Sequence, residues 1–216
     1  MPHTQEITIP ILAVVNSKGG VGKSTLSTNV AGYWAARGYA VALGDLDKQQ
    51  SSRTWLRIRP PNMAAIAPWS LEDVHKRKLP SGMTHGVIDT PAGLEGKDLK
   101  EVLKLADKLL VPLQPSAFDM SATRNLLEDL AAYKKINQID VALLGMRARE
   151  HTVSLQHLQT FCENLPFAIL GTLRDAQNYV HLAAQGLTLF DISSISQIQR
   201  DLEQWQPIGA WLDDAA

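Results

Sequence analysis

The segment Ser17-Lys18-Gly19-Gly20-Val21-Gly22-Lys23-Ser24-Thr25 constrains this chain more than any other. It follows an apolar run from Ile7 to Val15 and precedes a stretch in which Leu26, Val30 and Tyr33 recur at i, i+4 and i+7. A glycine-rich loop closed by Lys-Ser-Thr, set between a buried strand and a helix, is a phosphate cradle. Its glycines allow backbone conformations that turn successive N–H groups toward phosphate oxygens, and the helix start adds the positive end of its dipole. The residue types divide the work. Gly19, Gly20, Val21 and Gly22 supply the loop backbone, Lys23 is expected to neutralise the β- and γ-phosphates, Ser24 to coordinate Mg²⁺, and Thr25 to contact the α-phosphate. A charge-assisted hydrogen bond of this kind contributes about 1.5–3 kcal/mol, so losing Lys23 should weaken nucleotide binding about tenfold or more.

Around the loop, short apolar runs alternate with segments of helical period, which predicts an α/β fold: a mostly parallel, twisted sheet with helices on both faces. The expected strands are Ile9 to Val15, Ala40 to Leu46, Gly86 to Asp89, Lys108 to Pro112, Val141 to Gly145 and Phe167 to Gly171. Gly38 is placed to stop the first helix in a left-handed cap. Further helices are expected over Ser121 to Ile136 and Thr152 to Cys162, with a C-terminal one from Ser196 to Leu212 broken at Pro207. Arg59-Pro60-Pro61-Asn62 reads as a surface turn, and Trp34 and Trp55 as core residues on helices. With 216 residues and no repeat or linker, one domain spanning 1–216 is expected.

Charge and cysteine usage narrow the function. The balance of 21 Lys plus Arg against 22 Asp plus Glu confines any contact with nucleic acid to a local patch. Cys162 alone cannot form an internal disulfide or a Cys-pair metal site, which suits a reducing cytoplasm. His151 and His157, six apart, are wrongly spaced for one helix face and suit surface or capping roles. No stretch reaches the roughly 20 apolar residues needed to cross a bilayer, so a soluble intracellular protein is expected.

The string KGGVGKST resembles the deviant Walker A motif of the ParA/MinD group of P-loop ATPases. That resemblance implies a nucleotide-sandwich homodimer in which Lys18 reaches the partner's phosphates, so that dimer stability depends on phosphate charge and hydrolysis releases the pair. Asp45-Leu46-Asp47-Lys48-Gln49 is similar to the group's switch I, with Lys48 where proline is usual; Asp47 would then orient or deprotonate the attacking water and, with Asp45, support the Mg²⁺ site. Val87-Ile88-Asp89-Thr90-Pro91-Ala92-Gly93 resembles Walker B and switch II, which makes Asp89 a Mg²⁺ residue and lets Gly93 follow the γ-phosphate. Leu109 to Ser116 resembles the strand and loop before the dimerisation helix. Arg174 and Asp175 match a late segment near the nucleotide and dimer face. Gly145-Met146-Arg147 departs from the group where relatives place an adenine-reading Asn.

Within the group, the single cysteine excludes cluster-bearing relatives. The tail Trp211-Leu212-Asp213-Asp214-Ala215-Ala216 is acidic and unlike a membrane-targeting helix, so no membrane partner is expected. No helix-turn-helix extension is expected before the first strand. The resemblance is then to small ParA-type ATPases, which bind nucleoid DNA without sequence preference and partition or position a cargo with a small adaptor or ParB-like activator. The candidate DNA contacts are Arg147 and Arg149, the group Arg53, Arg57 and Arg59, and His75-Lys76-Arg77-Lys78. The alternative is a biosynthetic synthetase on the same scaffold, distinguished by turnover that responds to a small acid and ignores DNA.

Overall fold

Alternate residues of the first strand set the layering. Leu12 and Val14 point into one apolar core while Ile11, Ala13 and Val15 point into another, and all five are at most 2% exposed. A strand buried on both faces reads as continuous hydrophobicity, because helices cover both sides of the sheet. The computed structural model describes residues 10–214, so Ile9 of the expected first strand lies outside it.

In chain order the elements are β1 (Ile11–Val14), α1 (Lys23–Ala36), β2 (Val41–Asp45), α2 (Ser51–Ile58), β3 (Ile66–Trp69), α3 (Leu71–His75), β4 (His85–Asp89) and α4 (Gly96–Leu105). There follow β5 (Lys108–Leu113), α5 (Ala117–Ala131), β6 (Asp140–Ala148), α6 (Val153–Glu163), β7 (Ala168–Arg174), α7 (Gln177–Ala183) and α8 (Ile195–Asp213). The seven strands form one sheet in the order β3-β2-β4-β1-β5-β6-β7, and every pairing is parallel. Residues of α1, α2, α7 and α8 pack in one core, and those of α3, α4, α5 and α6 in the other. After β1 the chain moves toward β2, whereas after β4 it passes over β1 to β5, so α1 and α4 lie on opposite faces. That reversal opens a crevice at the carboxyl end of β1, where ligands bind in open α/β sheets.

Six expected strands are present. The seventh, β3, escapes the sequence pattern because it is short and contains Pro68. An edge strand tolerates the missing N–H, and Trp69 fills the hollow left by Gly44 and Gly86, where a Cβ on Gly86 would lie 2.8 Å from its ring. The helix expected from Ser121 begins instead at Ala117, because Ser116 caps it, accepting from Asp119 N at 3.2 Å. It also ends sooner, at Ala131, and a 3₁₀ turn at Ile136–Gln138 closes the connection.

Pro207 does not break the last helix. It lies within α8, which runs unbroken from Ile195 to Asp213. Tertiary burial outweighs the local penalty here: Trp205, Ile208 and Leu212, at 2%, 0% and 4% exposure, press the helix onto the sheet on both sides of the proline. Its end is pinned by Lys108, whose Nζ donates to Trp211 O at 2.9 Å and Asp140 Oδ2 at 3.0 Å.

Candidate functional site

The phosphate loop hangs from one buried amide. Asn16, fully buried at the end of β1, accepts from Lys18 N through Oδ1 at 2.9 Å, while its Nδ2 donates to Pro112 O at 2.7 Å and Thr123 Oγ1 at 3.0 Å. The loop's entry is thus bolted to β5 and α5. Two further bonds hold the loop, since Gln114 Nε2 donates to Gly20 O at 2.9 Å and Gly93 N donates to Ser17 O, at the loop's first residue, at 2.7 Å. The second bond ties the expected switch II to the cradle.

Gly20 and Gly22 take φ of 75° and 102°, a region that side chains rarely adopt. At Gly22 space is also short, because a Cβ there would meet Met146 Cε at 2.7 Å. Gly22 is the N-cap of α1 and no side chain caps the helix, so the dipole end faces the cradle without a protein carboxylate or hydroxyl satisfying it. Lys23 is buried and folded back over the loop, its Nζ donating to Lys18 O at 2.8 Å. Burial lowers its pKa, with Asp89 and Asp47 acting in the opposite direction. A desolvated ammonium beside an uncapped helix start suits a multiply charged anion.

Beneath the loop lies Asp89, fully buried at the end of β4. Burial pushes its pKa up to about 6, against hydrogen bonds from Ser24, Ser52 and Ser27. Ser52 Oγ donates to Oδ2 at 2.7 Å and Ser27 Oγ to Oδ1 at 3.3 Å. Hydroxyls from α1 and α2 therefore meet on one carboxylate. An acid held in so apolar a place, with Ser24 at its side, fits a divalent cation arriving with a phosphate.

Asp45 and Asp89 are paired in register at the ends of adjacent strands. Asp45 spends its oxygens on the backbone: Oδ1 accepts from Asp47 N at 2.9 Å and Oδ2 from Arg53 N at 3.1 Å. Its part is to shape the switch I turn and start α2. Burial raises its pKa, while the same backbone hydrogen bonds lower it. Asp47 is half-buried, and its Oδ1 accepts from Gln49 N at 2.9 Å.

Loop, Ser24, Asp47 and Asp89 converge at the carboxyl ends of β1, β2 and β4. Arg174 and Asp175 do not join them, since β7 stands three strands from β1. Arg174 Nε donates to the buried Asp201 at 2.5 Å, and Asp175 accepts from Arg149 at 3.1 Å.

The expected basic candidates are also redistributed. Arg59 is no surface group: its side chain is 6% exposed, forms two hydrogen bonds to Asp191 at 2.8 and 3.0 Å, and also donates to Ala64 O and Gly186 O. The turn at 59–62 therefore anchors through its first residue. Lys76, Arg77 and Arg149 are paired with Glu72, Asp107 and Asp175.

Asn16, Ser52 and Gln114 were not expected at the site. Ser52 carries a faint signal, as the second of a serine pair opening a helix after Asp47; Gln114, and Asn16 through its Nδ2, act on partners 94 or more residues away, which no local pattern encodes.

A parallel sheet with a glycine cradle between β1 and α1 and an acid behind its serine defines a P-loop nucleotide-binding protein. Residues 12–190 match the family described as the CobQ/CobB/MinD/ParA nucleotide binding domain. The chain belongs to this ParA/MinD family of ATPases. It is 28% identical over 191 residues to the maintenance of carboxysome distribution protein A of Halothiobacillus neapolitanus, covering 85% of this chain and 88% of that protein. In fold it is similar to MinD in the MinC:MinD cell division protein complex of Aquifex aeolicus (TM-score 0.71, 15% identity, 96% and 97% of the two chains). It is likewise similar to a variant of Cyanothece McdA in complex with ATP (TM-score 0.70, 14% identity, 93% and 96% of the two chains).

Proposed function

We propose that the protein is a Mg²⁺-dependent ATPase that dimerises on ATP, binds DNA without sequence preference, and partitions or positions an intracellular cargo. The observation that carries this reading is the loop itself: Lys23 buried against Lys18 O, an uncapped α1, and Asp89 beneath it with Ser24 at its side. The carboxysome-distribution name of a relative that spans most of this chain supports positioning over biosynthesis.

Lys23 and the amides of Gly19 to Thr25 would hold the phosphate tail, with Ser24 and Asp89 holding Mg²⁺ and Asp47 assisting. When bound, Mg²⁺ would neutralise charge developing on the phosphate oxygens. Lys18 would extend to the phosphates held by a second copy, which makes the pair conditional on the triphosphate. Asp47 would orient the attacking water, its Oδ1 already set by Gln49 N. Gly93, bonded to Ser17 O, would move with the γ-phosphate and pass the nucleotide state to switch II. Arg174 and Asp175 would act at the dimer face only after rearrangement, because their side chains are paired within the free chain. A small adaptor or ParB-like activator would stimulate turnover in the cytoplasm at the nucleoid.

ATP turnover with and without mixed-sequence duplex DNA tests the proposal. Mg²⁺-dependent turnover, together with retention of duplex only when a non-hydrolysable ATP analogue is present, is expected. Turnover that rises with small carboxylic acids and ignores DNA would place the chain among synthetases instead.

A further inference from the structure

Helix α4 sorts its charges by face. Lys97, Lys100 and Lys104 recur at i, i+3 and i+7 and form one stripe, whereas Asp98 and Glu101 lie on the neighbouring face and line a separate cleft beside switches I and II. Leu99, Val102 and Leu103 turn into the core. Lys100 and Lys104 of this stripe border two adjoining hollows of about 490 and 300 Å³, which share Leu103, Tyr133 and Lys135 and run between α4 and the end of α5. Lys134 and Lys135 stand on the opposite wall, and Arg77 closes the far end.

What distinguishes this groove is how little of its charge is spent. Among the described residues, Lys97, Lys100, Lys134 and Lys135 make no ion pair, and all four are exposed. Lys104 and Arg77 are paired with Glu101 and Asp107. Two carboxylates line the groove, Asp129 and Asp107, and Asp107 is committed on both oxygens, to Arg77 and to Ile11 N. In a chain of net charge −1, three unspent lysines around one groove, with Lys97 one turn from Lys100 on the same helix, are a local concentration.

We propose that the groove between α4 and the end of α5 is the surface that grips the phosphate backbone of duplex DNA, with Lys100, Lys134 and Lys135 as its contacts. This rests on the DNA-binding reading above and assigns it to residues. The exposed ammonium groups meet phosphates as point charges, so contact is strong at low salt and blind to sequence.

The test is the salt dependence of binding to a mixed-sequence duplex, with Mg²⁺ and a non-hydrolysable ATP analogue, from about 50 to about 200 mM salt. Each lysine that neutralises a phosphate contributes about 0.9 to the slope of log affinity on log salt. Lys100→Gln, Lys134→Gln and Lys135→Gln together should lower that slope by about 3 per engaged protomer, making the fall in affinity over this range about 40-fold smaller. The triple arginine variant should keep the wild-type slope, and the triple glutamine variant should bind nucleotide as wild type does. An unchanged slope in the glutamine variant, or a comparable loss of slope in Arg53→Gln with Arg57→Gln, overturns the groove while leaving DNA binding intact. Failure of the wild type to retain duplex overturns the DNA-binding reading itself. Loss of binding to phosphatidylserine vesicles, with duplex binding unaltered, would reassign the lysines to a membrane.

Discussion

Replacing Asn16 by alanine removes three hydrogen bonds at once from a fully buried position and leaves Pro112 O and Thr123 Oγ1 facing a void. A neutral hydrogen bond contributes about 0.5–1.5 kcal/mol net, and each buried partner left unsatisfied costs about 1–3 kcal/mol. The expected loss is about 3–4 kcal/mol, a large part of the roughly 5–15 kcal/mol that holds a domain folded. With a urea m-value of about 2–3 kcal/mol/M, the unfolding midpoint should fall by more than about 1 M. Thr123→Val, which removes one of the three bonds and keeps the shape, should cost about 1 kcal/mol. The two variants should also differ in nucleotide affinity, because only Asn16→Ala frees Lys18 N and lets the loop's entry lose its order before binding. A loss below about 1 kcal/mol for Asn16→Ala, or equal nucleotide affinities in the two variants, would refute the idea that this amide organises the cradle.

Three further outcomes follow, two from buried groups and one from an exposed proline. The raised pKa of Asp89 means that the folded state binds a proton more tightly than the unfolded chain, so the free protein should lose stability as pH rises from about 4 to about 6. Asp89→Asn should flatten that dependence in urea titrations and abolish the effect of Mg²⁺ on nucleotide binding. Arg59→Ala leaves Asp191 buried and unpaired, so about 3–5 kcal/mol of stability should be lost, read as a large drop in Tm. Pro207→Ala restores a backbone donor inside a continuous helix and should stabilise by about 1 kcal/mol or more in the same measurement.

The parallel layering and the loop were legible because they rest on local signals: a two-sided apolar strand, glycines beside Lys-Ser-Thr, and acids at strand ends. Boundaries were read less well where a cap decided them, as at Ser116. The strand β3 was hidden, since its place depends on Trp69 entering space left by Gly44 and Gly86 of other strands. Pro207 misled because local propensity was weighed without the burial of Trp205, Ile208 and Leu212 around it. Arg59 misled for a related reason. Its guanidinium is satisfied by Asp191, 132 residues away, and a run of surface-type residues carries no trace of that partner.

The most direct test of the account is the mass of the protein in solution with Mg²⁺ and a non-hydrolysable ATP analogue, by sedimentation velocity. The wild type should pass from 23.7 kDa to twice that mass when the analogue is added, and Lys18→Ala should still bind the analogue yet remain at 23.7 kDa. A wild-type chain that stays at 23.7 kDa when saturated, or a Lys18→Ala chain that pairs as readily, would contradict it.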